Sequence, residues 1–432
     1  IAVGVLSDGV DSLAAIQSSG DLPAVIVLPG QAGSGDEGTA MLEIVHDLAP
    51  GADLLFATAL GGRAAFAANI VALWEAGADV IVDDVQYFAE PVFQDGVVAQ
   101  AVETVSAAGA LYFSAAGNGG SLAKGTSGVW EGDFNWSGTS FRGNPVHAFV
   151  GEFTRNAVIQ DSPYLFSLFW SDPQGGSAND YDLYLLAPGG STVISASTDI
   201  QNGNDDPIEM IPSIDFDDVG RELLVVRDAG VSRYLHLNAN QGRLAIATDG
   251  QTSGHSAARS AFSIGAVRAG QAGGGGGVFD GSEPVESFSS DGPRRVFFEA
   301  DGTPITLFDL YSTGGELRQK PDFAAADCVS TATPGFGFFC GTSAAAPHAA
   351  AIAALLLELG GDWATAEDER AAFESSAFDI EALGVDTLAG FGLIDAAAAG
   401  DIIAAPEPPH AWMLAVGAAL LAALSRRPLG RP

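Results

Sequence analysis

The stretch FFCGTSAAAPHAAAIAALLLELGG, Phe338 to Gly361, decides the fold. Gly341 gives the chain a tight entry, and Ser343 begins a run of small residues that reads as a helix to about Leu359. A serine at the head of a buried, alanine-rich helix is held rigidly, and the helix N-terminus favours negative charge developing beside it. Small side chains let such a helix pack close to whatever lies beneath.

What lies beneath is legible further upstream. From Ile1 to Gly120, apolar strand candidates (Ile1–Leu6, Ala24–Leu28, Asp53–Ala57, Asp79–Val82, Ala110–Ala115) alternate with helical candidates (Glu37–Leu48, Gly62–Ala76, Val92–Ala107). Strand–helix alternation with continuous apolar strands predicts an α/β fold, a parallel sheet covered on both faces. In such sheets active sites gather beyond the carboxyl ends of the strands. Residues 1–120 are therefore the first part of a core domain. Residues 121–250 turn rich in Gly, Asn, Ser and Asp, with short alternating runs such as HAFVGEF, YLFSLFW, DYDLYLLAP and ELLVVRD. These predict an inserted antiparallel β-sandwich. Parallel-sheet character returns over 251–400, with a strand in SAFSIGAVRAG, a flexible loop in GQAGGGGG and a close at GFGLIDAAAAG. Residues 401–409 form a Pro-rich linker, and 410–432 a C-terminal sorting or anchor segment.

Composition excludes some functions. The balance of 54 acidic to 18 basic residues, a net charge of −36, argues against nucleic acid, whose phosphates need Lys and Arg. A hydrophobic share of 47% argues against disorder. Such an acidic excess suits an exported protein, an acidic medium or a salty one. The chain opens on Ile1 inside an apolar strand pattern, which reads as a fragment or processed chain whose targeting information lay upstream. Cys328 and Cys340 bracket VSTATPGFGFF. A disulfide there would close a short loop and add roughly 2–3 kcal/mol in an oxidising compartment, and two buried free thiols are the alternative. Their spacing is no metal signature. The acidic SANDYDLYLLAP offers oxygen ligands of the kind Ca²⁺ takes, but reads first as solvated turn carboxylates. No cofactor is required by any motif.

Gly341-Thr342-Ser343-Ala344-Ala345-Ala346-Pro347-His348 resembles the nucleophile segment of the subtilisin-like serine peptidases, Gly-Thr-Ser-x-Ala-x-Pro-His. The resemblance extends in family order to Ala116-Gly117-Asn118, to FSSDGP (288–293), to KPDFAAAD (320–327) and to GFGLIDAAAA. It covers about 1–120 and 255–400. It implies a Ser343 nucleophile and an oxyanion hole at Asn118. Two departures stand out. The family carries His-Gly-Thr-His at the head of the helix before its APGA; here APGA is present at Ala49–Ala52, but the helix head reads Glu37-Gly38-Thr39-Ala40. Glu37 thus stands in the place of the general base. The family's first strand ends in Asp-Ser-Gly, whereas VGVLSDGVD puts Ser7 in the Asp column and Asp8 one residue later. The related sedolisins use Ser, Glu and Asp, with the Asp four residues after the Glu; here that position is Met41, and Asn118 replaces their oxyanion-hole Asp. The resemblance therefore implies a Ser343–Glu37–Asp8 site with a subtilisin-type oxyanion hole.

Other groups compete for these roles. Asp36 reads as the cap of the helix that Glu37 opens. Asp83 and Asp84, at the end of the central strand, are expected to line a substrate subsite or join a proton network; the family's Ser-Leu-Gly substrate segment is replaced there by DDVQYF. His46, nine residues beyond Glu37 and roughly 13 Å away along a helix, reads as structural. His348 reads likewise, and His255 remains an alternative base. The C-terminus (Pro-Glu-Pro, the apolar run Ala411–Leu424, then Arg426, Arg427 and Arg431) resembles the PEP-CTERM sorting signal of exported Gram-negative proteins. Its apolar run is short of the roughly twenty residues of a full span. This resemblance implies a transient inner-membrane anchor, an exosortase-type processing partner and release to the cell surface or outside. The expectation is an exported serine endopeptidase acting on proteins or peptides. The alternative is an inactive binding or matrix protein on a peptidase scaffold.

Overall fold

The computed structural model describes residues 1–214, 217–361 and 365–404. Seven parallel strands form the central sheet: β1 (Ala2–Ser7), β2 (Val25–Val27), β3 (Asp53–Thr58), β4 (Val80–Asp83), β5 (Leu111–Ala115), β6 (Phe262–Arg268) and β7 (Phe323–Asp327), in the spatial order β2-β3-β1-β4-β5-β6-β7. Side chains alternate between its two faces. Val3, Val5, Phe56, Val82 and Phe113 pack on one side with helices α2 (Glu37–Leu48) and α5 (Thr342–Gly360). Leu6, Leu55, Ile81 and Tyr112 pack on the other with α3 (Arg63–Glu75) and α4 (Val97–Ala107). Burial on both faces is why these strands read as unbroken apolar runs. The α/β class is as expected, and strand order reverses beside β1 and β4, so loops following their carboxyl ends open onto one crevice.

Local differences have local causes. A first helix, α1 (Leu13–Ser19), carried too few buried residues to show a pattern; only Ile16 is buried. Helix α4 begins at Val97 rather than Val92; the buried Gln94 instead bonds the backbones of Gln174 and Ala300. The run HAFVGEF is not one strand. Its strand ends at His147, and Gly151 at φ 55° lets Val150–Phe153 close a turn. Where a flexible loop is expected in GQAGGGGG, Ala269–Gly274 coils into kinked 3₁₀ turns.

The inserted strands form two antiparallel sheets. One orders Ile208–Pro212, Leu165–Trp170, Tyr234–Asn238 and Val129–Asp133. The other carries Asp180–Leu186 between Val193–Ser197 and Glu222–Ala229. Phe166, Leu168, Trp170, Tyr181, Leu183 and Val225 fill the space between them. Helix α5 is long and apolar enough to span a membrane, but Ala344 to Ala346, Ala349 to Ala351 and Ala353 are fully buried against sheet and helices, so it is the core helix.

Cys328 and Cys340 are bonded to one another, which resolves the two alternatives in favour of the disulfide. The closed loop is also pinned to α2, where the Glu43 carboxylate accepts from the Ala332 N–H at 2.6 Å and from the Thr333 hydroxyl. Replacing both cysteines by serine is expected to cost about 2–3 kcal/mol in urea unfolding under non-reducing conditions. The expectation fails if the difference is below about 0.5 kcal/mol, a change that an ordinary surface substitution produces.

Candidate active site

The nucleophile segment is built from its glycine upward. Gly341, at φ 120°, turns the chain from the disulfide loop into α5. The Asp327 carboxylate at the end of β7 holds the Gly341 N–H at 3.0 Å. Thr342 donates its backbone N–H (3.1 Å) and its hydroxyl (3.0 Å) to Asn118 Oδ1, and its hydroxyl oxygen accepts from Gly117 N–H at 3.2 Å. Two donors on the amide oxygen settle which way Asn118 points: its NH₂ end is the one left to face outward. Ser343, in the first turn of α5, and Asn118 line one cleft of about 310 Å³. Pro347 has no N–H to give the Ser343 carbonyl four residues earlier.

Glu37, the first residue of α2, lines the same cleft. Its carboxyl lies beside both the Ser343 hydroxyl and the Asp84 carboxyl. Burial raises its pKa; the polar groups of Asp84 and Ser343 pull the other way, and the charge of Asp8 adds to the rise. Asp84 is raised further, well above the usual carboxylate range, by burial first and then by the charge of Glu37. Two close carboxyls do not both ionise easily, and the greater rise at Asp84 favours the proton there.

The other two acids of the sequence reading sit differently. Asp8 does not line the cleft. Its Oδ1 accepts from the backbone N–H groups of Glu37 (3.0 Å) and Gly38 (3.3 Å), so Asp8 caps α2 from a neighbouring loop. Gly35 is needed for that approach, since a Cβ there would fall 1.8 Å from the Asp8 carboxyl. Asp36, expected to be the cap, makes no capping bond. Its carboxylate instead holds Ser12, through the backbone N–H at 2.6 Å and the hydroxyl at 2.8 Å. Ser7, in the column where the resemblance calls for an Asp, lies beside Asp84. Asp84 stands just past the end of β4, the strand adjacent to β1, so a carboxyl lies next to Ser7 although β1 does not supply it.

Asp83 and Asp84 point to opposite sides, as successive residues of an extended chain must. Asp83 faces inward, accepting from Val85 N–H (2.9 Å) and Ser114 hydroxyl (3.2 Å) and meeting His255 Nε2 at 3.0 Å. His255 Nδ1 meets Glu90 at 2.8 Å. With both ring nitrogens engaged, His255 has no lone pair for Ser343. Burial lowers its pKa, but the charges of Glu90 and Asp83 outweigh that and raise it to about 10. His348 Nδ1 bonds the Ala344 carbonyl at 2.7 Å, within its own helix. Neither His46 nor His348 lines the cleft.

Sequence reasoning missed part of the cleft wall. Tyr164 and Gln241, from the inserted sandwich, complete it with Gln86 and Phe88. No local pattern marks them, because their place depends on how the sandwich docks.

The subtilase family profile matches residues 164–392, a span that holds Ser343 but neither Glu37 nor Asn118. Among solved structures the chain is similar to the CspB protease of Clostridium perfringens, at 14% identity and a TM-score of 0.56, with 93% of each chain covered. It is also similar to the prenylagaramide maturation protease PagA, at 14% identity and a TM-score of 0.44, covering 93% of this chain and 94% of that one. No curated protein matches the sequence. Identities this low concern the fold alone, whereas the profile spans more than half of the chain: it belongs to the subtilase family of serine proteases.

Proposed function

We propose that this protein is a serine endopeptidase that cleaves peptide bonds through an acyl-enzyme, with Ser343 as nucleophile and Glu37 as general base. The observation that carries the proposal is the Glu37 carboxyl set beside the Ser343 hydroxyl and the Asp84 carboxyl, in a cleft that Asn118 also lines. Ser343 Oγ attacks the scissile carbonyl carbon while Glu37 takes its proton. The oxyanion forms where Asn118 and the Ser343 backbone N–H converge, a contribution of roughly 3–4 kcal/mol per donor. Collapse breaks the C–N bond, and Glu37 returns the proton to the leaving amine. Water then attacks the ester, Glu37 again accepting a proton, and the acid product leaves with Ser343 restored.

Asp84 acts through Glu37 as a positioning residue. With the proton on Asp84, Glu37 is left to accept from Ser343. Asp8 holds the helix on which Glu37 stands.

The sign of the pH dependence follows. The base must be ionised, so kcat/KM rises with pH through the raised pKa of Glu37. It falls again when Asp84 loses its proton and two anions face each other. The test is hydrolysis of a peptide library by the parent protein from pH 3 to 10, with a fluorophosphonate adduct mapped by mass. A bell-shaped profile and an adduct on Ser343 are expected. No hydrolysis and no adduct at any pH would favour the binding or matrix protein on a peptidase scaffold. The disulfide supports an oxidising, exported setting. The PEP-CTERM-like tail that would deliver the protein there, through an exosortase-type enzyme, lies outside the described residues.

A further inference from the structure

The inserted sandwich reaches into the catalytic cleft at two points. Leu165–Trp170 and Tyr234–Asn238 pair antiparallel, with Ser167 opposite Asn238, so Tyr164 and Gln241 leave the same end of one sheet. Both line the cleft with Ser343, Glu37 and Asn118. Tyr164 packs on Phe88, ring centroids 4.7 Å apart and planes at 40°, yet stays 48% exposed, so much of the aromatic pair remains open to the cleft.

Gln241 is held there at a conformational cost. Asn240 and Gln241 have φ of 41° and 69°, a left-handed pair of non-glycine residues, which persists only where the surroundings over-determine it. Those surroundings are visible. Asn240 is buried, its N–H donates to Asn238 Oδ1 at 2.7 Å, and its NH₂ donates to the Leu165 carbonyl at 3.0 Å and to Ser167 Oγ at 3.1 Å. The clamp ties the Gln241 turn to the strand that carries Tyr164. The Gln241 side-chain amide makes no hydrogen bond among the described residues. A donor–acceptor pair is thus presented to the cleft beside an open aromatic face.

We infer that Tyr164 and Gln241 form a substrate subsite supplied by the insertion: the Phe88–Tyr164 pair takes an aromatic side chain of an extended peptide, and the Gln241 amide hydrogen-bonds that peptide's backbone. This rests on the reading of the cleft as a peptidase site. The insertion then acts in substrate choice.

The test uses Ser343→Ala, which cannot turn over, and fluorescence anisotropy with labelled hexapeptides differing only in Phe or Ala at each position in turn. The parent background is expected to prefer Phe at one position by about tenfold or more. Adding Tyr164→Ala should bring that ratio near one, while Tyr164→Phe keeps it. Gln241→Ala should weaken Phe and Ala peptides alike by about fivefold, the size of one lost neutral hydrogen bond. Thermal melts check that each variant is folded. An unchanged Phe/Ala ratio in folded Tyr164→Ala, or no preference at any position in the parent background, would overturn the inference. Binding preference that vanishes with Tyr164, in a protein whose native form neither cleaves nor labels, would instead uphold the subsite and remove the peptidase reading.

Discussion

Ser343→Ala and Glu37→Gln will each lower kcat for peptide hydrolysis by about 10⁴ to 10⁶, and the double variant will be no slower than Ser343→Ala alone. The nucleophile and its base act as a unit, so removing either leaves only binding and oxyanion stabilisation. Gln keeps the shape of Glu37 and leaves its backbone N–H on Asp8, so α2 stays capped while the site loses its proton acceptor. The residual rate of Glu37→Gln should also lose the acidic limb of the pH profile, because no ionising base remains beside Ser343. Steady-state kinetics from pH 3 to 10, on protein with an unchanged circular dichroism spectrum, measures this. Full activity in Glu37→Gln would sink the proposed base, and full activity in Ser343→Ala would sink the whole mechanism.

The second large effect concerns stability. His255→Ala is expected to lower unfolding free energy by about 3–5 kcal/mol near pH 7. The ring sits between Asp83 and Glu90, all three buried, and its loss leaves two carboxylates facing each other without a cation. The folded pKa of His255 is raised to about 10, against about 6.5 in an unfolded chain. A raised pKa gives stability that is fully present below pH 6.5 and is lost as pH climbs toward 10. The gap between parent and variant in urea unfolding should therefore shrink between pH 7 and pH 10. A gap under about 1 kcal/mol at pH 6 would show that the cluster is not held by its charge.

The same cluster explains why DDVQYF could be placed but not divided by function. Its position at the end of a strand was readable from the apolar run before it, and strand alternation sends Asp83 and Asp84 to opposite faces. Which face held the cleft, and which held His255, depended on residues more than 160 positions away in sequence. The disulfide is a similar case. Its loop was evident from Cys328 and Cys340, but pairing required the end of β7 and the start of α5 to lie side by side.

By itself, the sequence determined the parallel sheet, the bounds of α2 at Glu37 and Leu48, and the Ser343 and Asn118 positions, because these rest on periodicity and on a contiguous motif. Tertiary structure alone decided which carboxyl meets Glu37. One-residue proximity along β1 pointed to Asp8, but a side chain's partner is set by its direction and by the adjacent strand. Asp8 turned to the N–H groups of α2, and Asp84 reached Glu37 from the end of β4. Tertiary structure also brought Tyr164 and Gln241 to the cleft, since the docking of one domain on another leaves no periodic trace in either.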